Sequence, residues 1–269
     1  MSGGIYPLQR DAAEHDRLDT QARFWSPDAA ALFDSAGIDG GWRVADLGCG
    51  TLDVALQLAR RVGKAGRVRA LDNDALLVRR MAGVDSAIRT ADVRVEEGNA
   101  YATGWPSESL DAVHARFLAA PAGRLDGLVA EMHRLVRPGG SLLLQEPDSA
   151  SWDLPAVACW PRLRALIRSG FALRGGDFDA GRALAGALER AGAVEVQTRS
   201  VVRRIAADHP YSALPLAFAR QLRPLWVAEG LATPAEIDAL VREVAEGLAM
   251  GGTARTFTLV QAWGRRAMG

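Results

Sequence analysis

Cysteine is nearly absent from this sequence, since only Cys49 and Cys159 occur in 269 residues. A disulfide framework is therefore excluded as the basis of the fold, and two thiols so far apart in sequence indicate a reduced, intracellular setting. Cys49 lies inside a glycine-rich turn. We interpret it as a small residue that fits this turn rather than as a reactive thiol.

An excess of one charge and long apolar runs are also missing. The 32 basic and 32 acidic residues balance to zero, so the chain lacks the basic field that a nucleic-acid partner usually requires. No apolar run approaches the roughly 20 residues of a membrane span. The first residues show no basic segment followed by an apolar one. We therefore predict a cytoplasmic protein that acts on a small molecule, without a nucleic-acid or membrane partner; a homodimer is left open.

What the sequence does contain is a regular alternation of apolar strands and amphipathic helices. This rhythm is typical of an α/β fold, in which helices cover both faces of a mostly parallel sheet. The predicted strands span residues 43–47, 67–71, 93–96, 110–115, 141–145, 194–201 and 256–263. The predicted helices span residues 11–36, 52–62, 75–81, 125–136, 155–171, 180–191 and 211–250.

Several breaks in these elements are predicted from proline and glycine. Ser26-Pro27 is expected to divide the first helix into two, and Pro138-Gly139-Gly140 to form a tight turn before the fifth strand. Further breaks are expected near Pro224 and at Thr233-Pro234. The pattern predicts three units: a helical lid over 1–40, a Rossmann-like core over 41–204 and 255–269, and a helical cap over 205–254, inserted between the last two strands.

The first strand runs directly into a turn that contains Gly48 and Gly50. Glycine lets the backbone turn sharply and lie close to a ligand, and the helix that follows directs its free N–H groups to the same place. The third glycine of the G-x-G-x-x-G turn in dinucleotide-binding proteins is absent. Asp46 would repel a pyrophosphate, but it suits a ligand with an ammonium group, such as the methionine part of S-adenosylmethionine (SAM). Asp72 ends the second strand, where ribose hydroxyls bind.

Five segments together resemble the class I SAM-dependent methyltransferases, and the resemblance extends over roughly residues 15–265. The segments cover residues 44–50, 71–72, 97–100, 109–116 and 135–142. The sequence as a whole resembles the actinobacterial small-molecule branch, whose members act in natural-product biosynthesis. The resemblance implies a Rossmann-like sheet of seven strands with the last one antiparallel. It also implies SAM as the cofactor and S-adenosylhomocysteine (SAH) as its product.

The resemblance further implies which residues bind the cofactor. Asp46 would hold the methionine ammonium, Asp72 the ribose hydroxyls and Asn99 the adenine. Tyr6, Arg17 and Gln21 are candidates for binding the methionine carboxylate. The full set of predicted cofactor-binding residues is Tyr6, Arg17, Gln21, Asp46, Gly48, Cys49, Gly50, Asp72, Asn73, Asn99, Ala100, Ala115 and Arg116.

Two departures from the family pattern stand in this set. Leu52 occupies the last position of the usual Gly-x-Gly-x-Gly, and Asp53 follows it. A left-handed backbone would be strained by about 1–2 kcal/mol at a leucine, so we expect a slightly reshaped turn. Asn99 stands where the family usually has Asp, and its amide oxygen can still accept a hydrogen bond from the adenine amino group.

Methyl transfer needs mainly alignment of acceptor, methyl group and sulfur, and a general base is required only for a protonated acceptor. Among the four histidines, His209 is the best candidate for that base because it precedes the cap. No spacing of ligands indicates a metal site. The predicted substrate-binding residues, either acidic or aromatic, are Trp25, Glu146, Asp148, Phe178 and Trp226.

The predicted function is methyl transfer from SAM to an O, N or C atom of a small, hydrophobic metabolite. A second hypothesis is a SAM-binding fold that no longer methylates and instead catalyses a cyclisation or rearrangement, or uses the cofactor structurally. It is motivated by Leu52, Asp53 and the lack of a clear base. A nicotinamide-dependent oxidoreductase is a third hypothesis, and both the incomplete glycine motif and Asp46 count against it.

Overall fold

The structure, a computed structural model, describes residues 12–81 and 91–268. The strands are β1 Arg43–Leu47, β2 Arg67–Asp72, β3 Asp92–Glu97, β4 Leu110–Arg116, β5 Val136–Asp148, β6 Ala193–Val201, β7 Arg204–Ala206, β8 Thr253–Arg255 and β9 Thr258–Arg266. Seven of them form one sheet in the order β3-β2-β1-β4-β5-β9-β6. Within this sheet β9 is antiparallel to β5 and β6, and the pairs among β1 to β5 are parallel. The predicted seven-stranded α/β fold is confirmed.

Helices pack on both faces of this sheet. They are α1 Ala12–Ala36, α2 Asp53–Val62, α3 Ala75–Met81, α4 Ala119–Ala122, α5 Leu125–Leu135, α6 Trp160–Ala172, α7 Leu184–Arg190, α8 Leu214–Ala228 and α9 Pro234–Ala249. Two buried apolar clusters result, and neighbouring residues of one strand divide between them. Ala112 lies in one cluster and Val113 in the other, because successive side chains of a strand point to opposite faces.

The first helix is continuous, which corrects the predicted division at Ser26-Pro27. α1 runs through Pro27, and the Ser26 hydroxyl accepts a hydrogen bond from Gln57 Nε2 at 2.9 Å instead of capping a helix. Proline removes one backbone hydrogen bond from a helix interior. Trp25 and Ala29, on either side of Pro27, are fully buried. Packing against the core therefore holds the helix together across the proline.

Three other boundaries differ from the sequence prediction for related reasons. The helix predicted from residue 155 begins at Trp160, because Pro161 lacks a backbone N–H and is tolerated only in a first turn. Pro224 lies within an unbroken α8, where the neighbouring Trp226 packs closely on Gly170 of α6. The predicted turn at 138–140 is instead an irregular part of β5, whose register with β4 shifts there.

The chain between β6 and β9 contains α8 and α9, together with a small two-stranded sheet that the sequence analysis did not predict. In this sheet β7 pairs antiparallel with β8, and α8 and α9 lie between the two strands along the chain. Thr233 begins α9 as an N-cap, which confirms the break expected at Thr233-Pro234. None of the helices in the described part of the chain is long and apolar enough to cross a membrane.

Candidate active site

A cavity of about 400 Å³ lies at the carboxyl ends of β1, β2 and β4. The chain leaves β1 toward β2 and β3 on one side and returns to β4 on the other. Ligands of open α/β sheets bind at such a reversal of strand order, because the loops that follow the two central strands diverge there. Gly48, Asp72 and Arg116, which end or follow these three strands, all line the cavity.

The turn after β1 alternates between left-handed and other backbone conformations. Gly48, Gly50 and Leu52 have φ angles of 72°, 49° and 67°, so the position that departs from the family pattern keeps the left-handed conformation of a glycine. The expected reshaping of the turn is therefore not observed. Leu52 is only 1 % exposed, and its burial in the apolar cluster next to α1 offsets a strain of about 1–2 kcal/mol.

Asp72 connects this turn to the end of β2. One carboxylate oxygen accepts a hydrogen bond from Gly50 N at 3.0 Å, and the other accepts one from Asp74 N at 2.9 Å. Asp72 and Asn73 both line the cavity. A carboxylate oxygen has more than one acceptor site, so Asp72 can hold the turn and still accept from the hydroxyls of a ligand.

Asp46 lies on the floor of the cavity in a buried polar network. Its Oδ1 is 2.8 Å from Nδ1 of His114, whose Nε2 lies 3.3 Å from Oε1 of Gln145. Asp46 is 2 % exposed, and its Oδ2 has no hydrogen-bond partner among the described residues. A buried carboxylate oxygen without a partner costs free energy, and a ligand ammonium group would remove that cost.

Arg116, at the end of β4, is a buried cation of the cavity wall. Its side chain is 9 % exposed, and Nη2 lies 3.3 Å from Oδ2 of Asp53. Burial lowers the pKa of Arg116 below its usual value, although the negative charges of Asp53 and Asp46 oppose this effect. Nη1 is buried and has no hydrogen-bond partner in the described part of the chain.

The rest of the wall is aromatic. Five phenylalanines from separate segments line it: Phe117, Phe171, Phe178, Phe218 and Phe257. They pack edge to face, with ring centroids 5.1 Å apart for Phe171 and Phe178 and 5.8 Å apart for Phe178 and Phe218. We call this group of five residues the aromatic half of the cavity. We call seven of the predicted cofactor-binding residues the cofactor half; they line the same cavity and are Asp46, Gly48, Gly50, Asp72, Asn73, Asn99 and Ala100.

Comparisons with known proteins agree with this geometry. The methyltransferase domain family matches residues 44–140, the stretch that contains the cofactor half. A nocamycin O-methyltransferase from Saccharothrix syringae is 28 % identical over 266 residues, which are 91 % of this chain and 93 % of that enzyme. A ubiquinone/menaquinone biosynthesis C-methyltransferase from Shewanella pealeana is 35 % identical over 143 residues, but these cover only 50 % of this chain and 57 % of the relative.

A solved structure shows the same fold. The phosphoethanolamine N-methyltransferase 2 of Haemonchus contortus, in complex with SAH, superposes with a TM-score of 0.57 at 15 % identity, over 94 % of this chain and 58 % of that one. The chain has the fold of the SAM-dependent methyltransferases, and its residues 44–140 form a methyltransferase domain. Its cofactor is SAM, and SAH is the product of the transfer.

The described residues of this methyltransferase fit SAM. The unpartnered Oδ2 of Asp46 would accept a hydrogen bond from the methionine ammonium, and the Asp72 carboxylate would accept hydrogen bonds from the ribose hydroxyls. A Cβ added at Gly50 would meet no atom within 4 Å, so the backbone at this point of the wall borders open space. When bound, SAM supplies a methyl group on a positively charged sulfur, an activated donor.

Other predicted cofactor-binding residues of the methyltransferase occupy different places. Arg17 and Gln21 of α1 line the cavity, and the Arg17 guanidinium donates to Glu14 and to Gln21. Cys49 also lines it, and burial raises the pKa of its thiol well above the usual value, which agrees with a small residue in the turn. Ala115 does not line it, because the residue is fully buried within β4. Tyr6 lies outside the described residues.

Of the predicted substrate-binding residues, Phe178 alone lines the cavity. Trp25 is buried beneath it and donates from Nε1 to the Tyr211 hydroxyl at 2.7 Å. Trp226 is fully buried where α8 packs on α6. Both tryptophans therefore belong to the core rather than to the cavity wall, because aromatic residues at helical spacing generally point inward.

The two acids predicted to contact substrate have structural partners instead. Glu146 is fully buried and accepts hydrogen bonds from the backbone N–H groups of Leu118, Ala119 and Ala120 at 2.8, 2.7 and 3.0 Å. Burial raises its pKa to about 7, against the opposing effect of these hydrogen bonds. Asp148 forms an ion pair with Arg182 at 2.7 Å, which holds the pKa of Asp148 below its usual value.

His209 does not line the cavity either. Its Nδ1 accepts a hydrogen bond from Tyr211 N at 3.1 Å, and its ring packs edge to face against Phe24. His209 thus caps the short helical turn before α8, which accounts for a histidine directly before a proline. His15 of α1 is the histidine that lines the cavity, and its position on a long helix gave no motif signal.

Two further residues of the wall were not predicted. Asp53 begins α2, and Tyr101 donates from its hydroxyl to Gly123 O at 2.6 Å. Burial raises the pKa of Tyr101 to about 12, so its phenol is neutral at physiological pH and does not act as a base. Both follow a predicted strand by a few residues, and the rule that ligands bind beyond the carboxyl ends of strands would have indicated them.

Proposed function

We propose that this enzyme transfers the methyl group of SAM to a small, hydrophobic metabolite held in the aromatic half of the cavity. The observation that carries the proposal is the junction of two unlike surfaces in one cavity. One surface presents carboxylates and backbone groups, as the amino-acid and ribose parts of SAM require. The other presents phenylalanine rings, which favour an apolar acceptor because its burial removes apolar surface from water.

Oxygen is the acceptor atom that we favour. The relative with a near full-length match, 93 % of its own residues, is named as an O-methyltransferase of nocamycin, whereas the C-methyltransferase relative matches over 57 %. A hydroxyl that is protonated at neutral pH requires a general base near the reacting atoms. His15 is the histidine that lines the cavity, and it replaces His209 as the candidate for this role.

We also propose that α1 and the segment 205–254 act as lid and cap over the core. α1 contributes Arg17 and Gln21 to the cavity wall, and α8 contributes Phe218. These contributions support the division into units at 1–40, 41–204 with 255–269, and 205–254. The cytoplasmic location and the homodimer remain predictions.

Calorimetric titration of the purified protein with SAM and SAH tests the cofactor half first. We expect micromolar binding that falls by more than tenfold in Asp72→Ala, while Asp126→Ala, a surface change on α5, leaves the affinity unchanged. Absence of binding in the wild type would refute the proposal. Incubation with SAM and a panel of small apolar hydroxyl compounds then tests the acceptor, with a mass gain of one methyl group as the readout. Tight binding without any methylated product would favour the non-methylating hypothesis.

A further inference from the structure

Three arginines of the described chain line the cavity, and they differ in how fully they are partnered. Arg17 donates to Glu14 and Gln21. Arg124 is exposed and lies over the ring of Tyr101, 4.6 Å from its centroid. Arg116 is buried and uses Nη2 for a single contact with Asp53, while its Nη1 has no partner among the described residues. Arg116 is thus the one of the three with a buried nitrogen left unsatisfied.

Such an arrangement is costly in the ligand-free protein. A buried cation loses hydration, and one long ion pair does not replace the five N–H donors of a guanidinium. Asp53, its partner, also accepts from Gln57 Nε2 at 3.0 Å, so the acid does not depend on the arginine alone. An arginine that is buried at this cost in free energy, at the carboxyl end of a strand, points to an oxyanion ligand that accepts its remaining hydrogen bonds.

The start of α2 explains why the cation is needed at this place. A helix N-terminus attracts anions through its free N–H groups, and Asp53 already brings a negative charge to the first turn of α2. That charge repels a second carboxylate. Arg116 contacts both Asp53 and the ring of Phe117, whose centroid lies 5.9 Å from the guanidinium carbon. It therefore neutralises the acid, and its Nη1 remains without a partner among the described residues.

We propose that Arg116 is the anion receptor of the cavity, which binds a carboxylate or another oxyanion through Nη1 while Asp53 holds Nη2. Two sources supply this chemistry: the amino-acid carboxylate of the cofactor, and an acidic oxygen of the acceptor. The first source rests on the proposed function. In either case Asp53, the residue that departs from the family pattern, serves to hold the receptor.

The test is calorimetric titration of the full chain with SAH and with its analogue that lacks the carboxylate. In Arg116→Gln we expect the SAH affinity to fall 10- to 100-fold, while affinity for the decarboxylated analogue changes less than threefold. Arg116→Lys, which keeps the charge without the fork, should recover part of the loss. The melting temperature of ligand-free Arg116→Gln should equal or exceed that of the wild type, because the one 3.3 Å contact with Asp53 does not offset the cost of burying the guanidinium, and Asp53 keeps its hydrogen bond from Gln57.

Arg203→Gln is the matched control, because Arg203 is an arginine whose two terminal nitrogens are both bound, by Asp28. This variant should melt at a lower temperature and keep its SAH affinity. If Arg116 had only a structural role, Arg116→Gln would behave in the same way, and the proposal would be overturned.

A second arm separates the two sources. SAH-saturated protein is titrated with 2-naphthoate and with the uncharged 2-naphthamide. If Arg116→Gln spares SAH but loses a preference of the wild type for naphthoate, the receptor serves the acceptor. If Arg116→Gln weakens neither SAH nor naphthoate more than the matching analogue without a carboxylate, the proposal fails. A wild type that does not bind SAH at all would instead refute the proposed function, since the naphthoate comparison can still be made on the unliganded protein.

Discussion

The cofactor half and the aromatic half of the cavity are built in different ways. The cofactor half uses residues within 46–100, at the ends of successive strands. Its internal hydrogen bonds join the Asp72 carboxylate to nearby backbone N–H groups. The aromatic half brings together residues from Phe117 to Phe257, which are 140 positions apart in sequence. One half therefore depends on local geometry and the other on tertiary packing, so substitutions in the two halves should separate ligand binding from stability.

The largest effect is expected in the aromatic half. Phe178 is 3 % exposed, and its ring lies 5.3 Å from that of Trp152. Phe178→Ala should lower the free energy of unfolding by about 3–5 kcal/mol, because it leaves a cavity in the core, and should change the SAH affinity by less than threefold. Urea unfolding and calorimetry check the two quantities. Phe33→Ala, in the other apolar cluster, removes the same side-chain volume and is the control. If Phe178→Ala lost SAH affinity together with stability and Phe33→Ala did not, the two halves would not be separable.

Glu146 supports the aromatic half, because it accepts hydrogen bonds from the backbone of the segment that follows Phe117. Burial raises its pKa from 4.5 to about 7 in the folded protein, so folding takes up a proton between these pH values. Stability is therefore highest below about pH 4.5 for this group and falls as the pH rises toward 7, by about 3 kcal/mol in total. Glu146→Gln cannot titrate.

Urea unfolding at half-unit steps from pH 5 to pH 8 measures this dependence. We expect the difference in unfolding free energy between wild type and Glu146→Gln to change with pH up to about 7 and to be constant above it. A difference that stays constant from pH 5 to pH 7 would show that Glu146 is ionised throughout this range.

In the cofactor half, Asp46→Asn should reduce SAH affinity 10- to 100-fold, or about 1.5–3 kcal/mol, because a charge-assisted hydrogen bond is lost. Asparagine keeps the acceptor that faces His114, so stability should change little. Asp111→Asn is the control, since Asp111 pairs with Arg43 and Arg137 at the opposite end of β4. There we expect lower stability with unchanged SAH affinity. If Asp46→Asn instead lowered stability and left the SAH affinity unchanged, the proposed role of Asp46 would be contradicted.

The smallest effect concerns the strain at Leu52. Leu52→Ala and Leu52→Gly both lose the buried side chain, but only glycine adopts a φ of 67° without a steric cost. Leu52→Gly should therefore be more stable than Leu52→Ala by about 1 kcal/mol in urea unfolding. At Leu58, which is equally buried but lies inside α2, the order should be reversed by a similar amount. The same order at both positions would mean that the turn relaxes in the variants.

Prediction from the sequence succeeded where the structural cause is local. The strand that ends at Leu47, its glycine turn and helix α2 were all expected within one residue of the observed bounds, because apolar periodicity and the free N–H groups of a helix start act over a few residues. It failed at Pro27 and Pro224, where a local helix breaker is overridden by the burial of Trp25 and Trp226. Local signals do not contain that packing energy.

By itself, the sequence determined the α/β architecture, the glycine turn after β1 and the class of enzyme, since these follow from short patterns that leave few alternatives. Only the tertiary structure decided which aromatic residues face the cavity, that Glu146 and His209 serve structural contacts, and that Arg116 and Asp46 each retain an unsatisfied buried atom. The physical reason is the range of the interactions. Hydrogen bonding in a turn is decided by neighbours in the chain, whereas burial and charge pairing depend on segments that meet only when the whole chain has folded.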